Sequence, residues 1–253
     1  MECYALPISK VTSLARKVSL VAVFTALVAV ATATLSVSVP ATRGYFNIGE
    51  TVIYVSAILF GASVGGLSAG IGAMIADLVL GYGVYAPATL VVKGIEGALV
   101  GFLAKRKIDH ILGTHSSRPL AFIAAITLAG IVLTVGATYY SGPMQFTVAS
   151  PVAPVEFSIT VPTAFWVLLS IIVAATTLYV SLKTDPNLSW QIIAVLVGGS
   201  EMIAGYFLYE QLMLGVAAVV EIPFNVGQMM VGAIVAIPLV RAIRARIPTL
   251  LNR

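Results

Sequence analysis

Residues Tyr45 to Tyr82 read YFNIGETVIYVSAILFGASVGGLSAGIGAMIADLVLGY. At 38 residues this run is too long for one membrane crossing, which takes roughly 20 apolar residues, and slightly short for two. Gly61, Gly65 and Gly66 offer a break near its middle. The charges downstream decide between one crossing and two. The next apolar run, Ala86–Ala104, ends in Lys105, Arg106 and Lys107. Basic residues collect on the cytoplasmic side of a membrane. With two crossings between Tyr45 and Tyr82 the triplet lands in the cytoplasm; with one it lands outside. Two are expected, about Tyr45–Phe60 and Ser63–Tyr82.

The composition supports a membrane reading of the whole chain. Of 253 residues, 59% are hydrophobic and only 9% charged, against about 25% charged in a soluble domain. Mean hydropathy is +1.03. A soluble globule of this size cannot hide that much apolar surface. A secreted disulfide scaffold, a nucleic-acid-binding module and a cytosolic enzyme are excluded together. The net charge of +4 matters less than where the basic residues fall. Cys3 is the one cysteine, which excludes an internal disulfide and a cysteine metal cluster.

The other spans follow from the same two rules. Val18–Val39 holds 22 residues without a charge, behind Lys10, Arg16 and Lys17. A signal peptide has a shorter apolar region, so this is expected to be a retained first span. Leu120–Tyr140 runs outward after Arg118, and Pro162–Leu182 returns to Lys183. Trp190–Met213 runs outward, and Pro223–Val240 returns to Arg241, Arg244 and Arg246. The expected fold is all-α, an eight-span bundle with both termini cytoplasmic. Every one of the 14 Lys and Arg except Arg43 and Lys93 then lies on the cytoplasmic side. Between the fifth and sixth spans, Phe146–Val148 and Glu156–Val161 are β-prone around Pro151 and Pro154. They read as a short outside hairpin, either a lid over a site or a plain connector.

Charged groups inside a bilayer are costly and usually functional. In this topology Asp77, Lys93, Glu96, Glu201 and Glu210 lie within spans, from the middle to the outer end. Asn47 and Glu50 begin the second span, Glu221 sits at the outer mouth of the eighth, and Asn225 and Gln228 enter it. These groups converge on one outward-facing hollow, the geometry of a binding site loaded from outside. Tyr82, Tyr85, Tyr206 and Tyr209 add rings at the same level, which suits a flat, partly polar molecule. Each has a structural alternative. Lys93 and Glu96, three apart, are either a structural ion pair or ligand contacts. Asp77 either caps or pairs across spans, the tyrosines form an interfacial belt, and Asn225 and Gln228 bridge helices. Glu201 has no basic partner nearby in sequence.

Small residues form stripes. Ala22, Ala26, Ala29 and Ala33 share one face of the first span, toward either a neighbouring helix or another protein. Gly66/Gly70 and Gly97/Gly101 form similar pairs, expected to pack internally. No G-x-x-x-x-G-K-[ST] phosphate loop and no H-E-x-x-H motif occurs. His110 and His115 beside Asp109 read as a solvated cytoplasmic loop rather than a metal site. No catalytic residue, cofactor or metal is assigned, and energy for uphill movement must come from an ion or another subunit.

The motifs Gly44-Tyr-Phe-Asn-Ile-Gly-Glu50, Leu59-Phe-Gly61, Gly66 to Gly72, Ala76-Asp77-Leu78 and Gly81-Tyr82 resemble the substrate-binding S components of energy-coupling factor (ECF) transporters. Tyr85-Ala-Pro-Ala-Thr-Leu-Val-Val-Lys-Gly-Ile-Glu-Gly97 is similar to their fourth span. Glu201-Met-Ile-Ala-Gly-Tyr-Phe-Leu-Tyr-Glu210 and Glu221-Ile-Pro-Phe-Asn-Val-Gly-Gln228 look like their last two. The alanine stripe resembles the family's docking motif, A-x-x-x-A, at Ala22 and Ala26. The resemblance covers about 18–108 and 190–247. It implies a six-span core, with 109–189 an inserted pair of spans and its hairpin, 1–17 a cytoplasmic segment and 248–253 a tail. It implies a cell-membrane subunit that binds a vitamin or related micronutrient, riboflavin being the best-represented, and docks onto a membrane coupling subunit carrying two ATPases. The alternative is a stand-alone ion-coupled carrier, although no inverted repeat is visible.

Overall fold

Gly61 divides the long apolar run. In the computed structural model, which describes residues 8–34, 36–39, 44–106, 117–139, 141–148, 155–183 and 186–247, its φ is +86°. That backbone conformation strains any residue with a Cβ. Helix α2 (Gly49–Phe60) ends there and α3 (Ala62–Leu80) begins. The run forms two helices, divided at Gly61 rather than at Gly65 or Gly66, and the first, at 12 residues, is shorter than the span expected at Tyr45–Phe60.

Among the described residues there are eight α-helices. Besides α2 and α3 they are α1 (Ile8–Thr34), α4 (Ala86–Ala104), α5 (Ser117–Tyr139), α6 (Thr163–Lys183), α7 (Pro186–Leu214) and α8 (Ile222–Arg246). A 3-10 turn, Gly215–Glu221, joins the last two. Among the described residues five helices are long and apolar enough to cross a membrane: α1, α3, α4, α7 and α8. α2, α5 and α6 contribute shorter apolar stretches.

Two expected spans start or stop elsewhere. Val18–Val39 is helical only to Thr34, and Ser36–Val39 is strand β1. Tyr45–Phe60 opens as strand β2 (Gly44–Asn47) before α2 begins. Both strands read as apolar sequence, but Ser-Val-Ser-Val alternates with period two and Pro40 follows it, which favours a strand over a helix. The expected hairpin is present and longer than predicted, as β3 (Gly142–Val148) and β4 (Val155–Val161). Pro151 and Pro154 lie outside the described residues, as do Arg43, Asp109, His110 and His115. The four strands form one antiparallel sheet in the order β2-β1-β3-β4. The hairpin therefore continues a ribbon begun by the α1–α2 connection, a pairing that local patterning does not reveal.

The sheet caps one end of the bundle. Arg16, Lys17, Lys105, Arg106, Arg241, Arg244 and Arg246 lie toward the other. There Lys105 Nζ donates to Leu59 O at 2.8 Å and an Arg244 amine to Ile58 O at 3.2 Å. Both cover carbonyls that α2 leaves open where it stops. Trp190 Nε1 donates to Leu103 O at the same end, 2.6 Å away.

α2 is the central helix, packed by α1, α3, α4 and α8. Ile53, Tyr54, Ala57 and Ile58 on it are at most 1% exposed. A helix apolar on all sides belongs in a core. α3 and α4 cross closely because glycines face each other. A Cβ on Gly97 would lie 2.5 Å from Gly65 O, and one on Gly65 would lie 2.7 Å from Gly97 O. The expected internal role of these small residues is what the packing shows. α5 and α6 pack chiefly on each other, Gly136 against Trp166, with α5 touching α8. The outer surface is apolar, with Val79, Leu208, Leu212 and Ile234 all more than 60% exposed. The inside carries the charges. That inversion fits a solvent of lipid chains.

Candidate functional site

Strand β2 places two side chains of one face, Tyr45 and Asn47, over the sheet end of the bundle, because alternate residues of a strand point the same way. The first turn of α2 adds Glu50. From α3 comes Asp77, and from α4 Thr89 and Lys93. α7 supplies Tyr206 and Glu210, the 3-10 turn Glu221, and α8 Asn225 and Gln228. With Thr32, Ile53, Ala73 and Tyr85 they line a hollow that is partly open at its mouth.

A buried ion triad forms its floor. Lys93 Nζ is bonded to Glu50 Oε1 and lies 3.2 Å from Glu96 Oε2. Glu96 Oε1 accepts from the Tyr54 hydroxyl at 2.8 Å. All four residues are at most 4% exposed. A lone charge here would be prohibitive, and each group is tolerable because the others are present. The Lys93 ammonium also sits 5.5 Å from the centre of the Tyr206 ring, within cation–π range.

The walls are held by hydrogen bonds. Gln228 Oε1 accepts from the Asn47 backbone N–H at 2.7 Å and from its side-chain amide at 2.9 Å. Asn47 Oδ1 in turn accepts from Gly49 N–H, 2.9 Å away, covering a donor that the start of α2 leaves open. Gln228 Nε2 reaches Asn225 Oδ1 at 3.4 Å. These contacts tie β2 to α8, so the pair does bridge elements and lines the hollow as well. Tyr206 donates to Thr89 Oγ1 at 3.0 Å and Tyr45 to Asp77 Oδ1 at 2.6 Å. Burial first, and then the charge of Asp77, pushes the Tyr45 phenol well above its ordinary range, so it stays protonated and donates. At the mouth the Tyr45 and Tyr82 rings are 4.6 Å apart, and the Tyr85 and Tyr209 rings 5.8 Å.

Of the twelve residues predicted for the site, the hollow gathers Asn47, Glu50, Asp77, Tyr85 and Lys93 from the first half of the chain, and Tyr206, Glu210, Asn225 and Gln228 from the second. Tyr82 stacks behind Tyr45. Glu96 lies beneath the floor. Glu201 is half-buried outside the lining and its Oε2 has no hydrogen-bond partner among the described residues. Sequence reasoning missed Thr32, Tyr45, Thr89 and the apolar Ile53 and Ala73. Tyr45 and Asn47 are two apart on a strand, and that period was the available signal. Thr32 and Thr89 carry none, since hydroxyls inside a span are common.

A polytopic helix bundle with a polar, walled hollow at one end is the build of a membrane protein that binds a small solute. The model of the ECF-type riboflavin transporter S component family matches residues 13–184, and the chain belongs to that family. It is a multi-pass membrane protein. The match includes 109–184 and ends before α7, a different coverage from the one the motifs implied. A curated protein of Pyrococcus woesei, described as an uncharacterized protein in a gap 3′ region, is 39% identical over 103 residues, 40% of this chain. The chain spans about three-fifths of that relative's length, 61%.

Proposed function

We propose that the chain captures a vitamin or related micronutrient in the hollow from outside the cell and delivers it inward when docked to a membrane coupling subunit with two ATPases. It carries out no chemical step of its own. The observation that carries this reading is the hollow itself: one walled site at the sheet end, with the polar groups of six helices converging on it. Riboflavin is the proposed ligand class, consistent with the family's description and with tyrosines at the mouth that suit a flat ring system.

The orientation follows from charge. The basic residues lie at the end opposite the hollow, which puts the sheet outside and both termini in the cytoplasm under the positive-inside rule. Docking is assigned to α1. Its inner face, at Thr25 and Val28, meets Gly72 of α3. Ala22 and Ala26 are exposed, and Ala29 and Ala33 half-buried. Small exposed residues let a partner helix approach closely. The residues of the hollow come from α1 to α4, α7 and α8, which supports a six-span core. The α5–α6 pair is an addition at its edge, with the hairpin extending the outer sheet.

The test is extraction of small molecules from the purified, detergent-solubilised protein, followed by mass spectrometry and a binding titration with riboflavin. A single vitamin-like mass at near-equal stoichiometry, and uptake in vesicles only when the coupling module is present, is the expected result. Uptake by the protein alone under an ion gradient would overturn it in favour of a carrier.

A further inference from the structure

Two cations converge where α2 stops, at the end of the bundle away from the hollow. Lys105 reaches over from the end of α4 and Arg244 from α8. They bond adjacent carbonyls, Leu59 O at 2.8 Å and Ile58 O at 3.2 Å. Each bond uses one donor, while an ammonium carries three and a guanidinium five. Lys105 is exposed and Arg244 half-buried, so a ligand can reach both. Neither forms an ion pair among the described residues. Partial burial first, and then the charge of Arg244, holds the Lys105 amine below its ordinary range. Neighbouring like charges repel unless an anion joins them. No described side chain supplies one: the described carboxyl groups lie in or around the hollow, in the middle of α7 or in the hairpin.

The pair sits at headgroup depth. Phe102, just inward of Lys105 on α4, is 50% exposed on a surface that meets acyl chains. Arg106 Cζ lies 4.4 Å from the centre of its ring, the posture of a basic side chain reaching past apolar surface toward water. Trp190, whose ring nitrogen bonds Leu103 O, marks the same level, since amphipathic rings collect at membrane interfaces. We propose that Lys105 and Arg244 form a site for the phosphate headgroup of an anionic lipid, with an acyl chain lying along Phe102. Basic clusters between helices at a membrane face select such headgroups. The phosphate accepts the donors that the α2 carbonyls leave unused and neutralises the pair. Lipid binding here is independent of what fills the hollow.

The test is native mass spectrometry of the purified, detergent-solubilised full chain titrated with phosphatidylglycerol or phosphatidylcholine. The anionic lipid is expected to bind about tenfold or more tighter. Lys105→Gln combined with Arg244→Gln keeps N–H donors for both carbonyls and should remove that preference, while Lys17→Gln on α1 leaves it. Equal binding of the two lipids overturns the proposal and leaves the pair to an acidic protein segment. An equal loss in Lys17→Gln overturns it in favour of diffuse attraction. Displacement of phosphatidylglycerol by inorganic phosphate overturns the lipid assignment in favour of a free anion. Should the double variant not fold, acylation of Lys105 in the wild-type chain decides. Phosphatidylglycerol vesicles should protect Lys105 relative to Lys17, and phosphatidylcholine vesicles should not; equal reactivity in the two overturns the site.

Discussion

Lys93 holds two glutamates that would otherwise share a buried site uncompensated. Lys93→Met is expected to cost about 3–5 kcal/mol, because it strands like charges in a dry interior. The check is thermal unfolding in detergent, with Glu96→Gln as the comparison. That variant retains a group able to bond both Lys93 and Tyr54, and should lose less. Tyr45→Phe removes one donor from Asp77 without changing shape. Hydrogen bonds to a charged group contribute about 1.5–3 kcal/mol, and a Tm drop together with weaker ligand binding is expected. The i,i+3 spacing of Lys93 and Glu96 was legible in the sequence. The third member was not, since Glu50 is 43 residues away from Lys93 and only the α2–α4 packing brings it in.

At the scale of elements the glycines carry the weight. Gly97→Ala places a methyl against Gly65 O and forces α3 and α4 apart. A loss of about 1–3 kcal/mol is expected in thermal unfolding, the usual cost of overpacking. Gly83→Ala, with nothing within 4 Å of the added Cβ, should be neutral. The small-residue stripes were readable in advance because a period of four marks a helix face whatever the partner. The strands were harder. Ser36–Val39 and Gly44–Asn47 extend apolar runs, and hydropathy alone assigns such residues to the neighbouring spans. What makes them strands is mutual pairing and the docking of β3 on Val37 and Ser38.

At the scale of the molecule, one end is basic and the other holds the sheet and hollow. In a Cys3→Ser background, Ser141→Cys should react with a membrane-impermeant maleimide on intact cells, and Ile247→Cys only after permeabilisation. The reverse labelling would invert the proposed orientation. Ala26→Trp puts a bulky side chain on the exposed face of α1. It should abolish co-purification with the coupling module while leaving ligand binding unchanged, and normal assembly would remove α1 as the docking face.

Sequence alone determined that the chain lives in a membrane, how many helices it forms, and which end of the bundle collects polar groups. Those properties depend on hydropathy, segment length and the side on which basic residues fall, all of them local or additive along the chain. Tertiary structure decided the rest. It determined that Glu50 joins Lys93 and Glu96, that Tyr45 reaches Asp77, that Asn47 is bound by Gln228, and that Glu201 stays outside the lining. Each is a contact between elements far apart in sequence. Which side chains meet depends on the rotation of each helix about its axis and on the close approach the glycines permit, and neither is set by one segment alone.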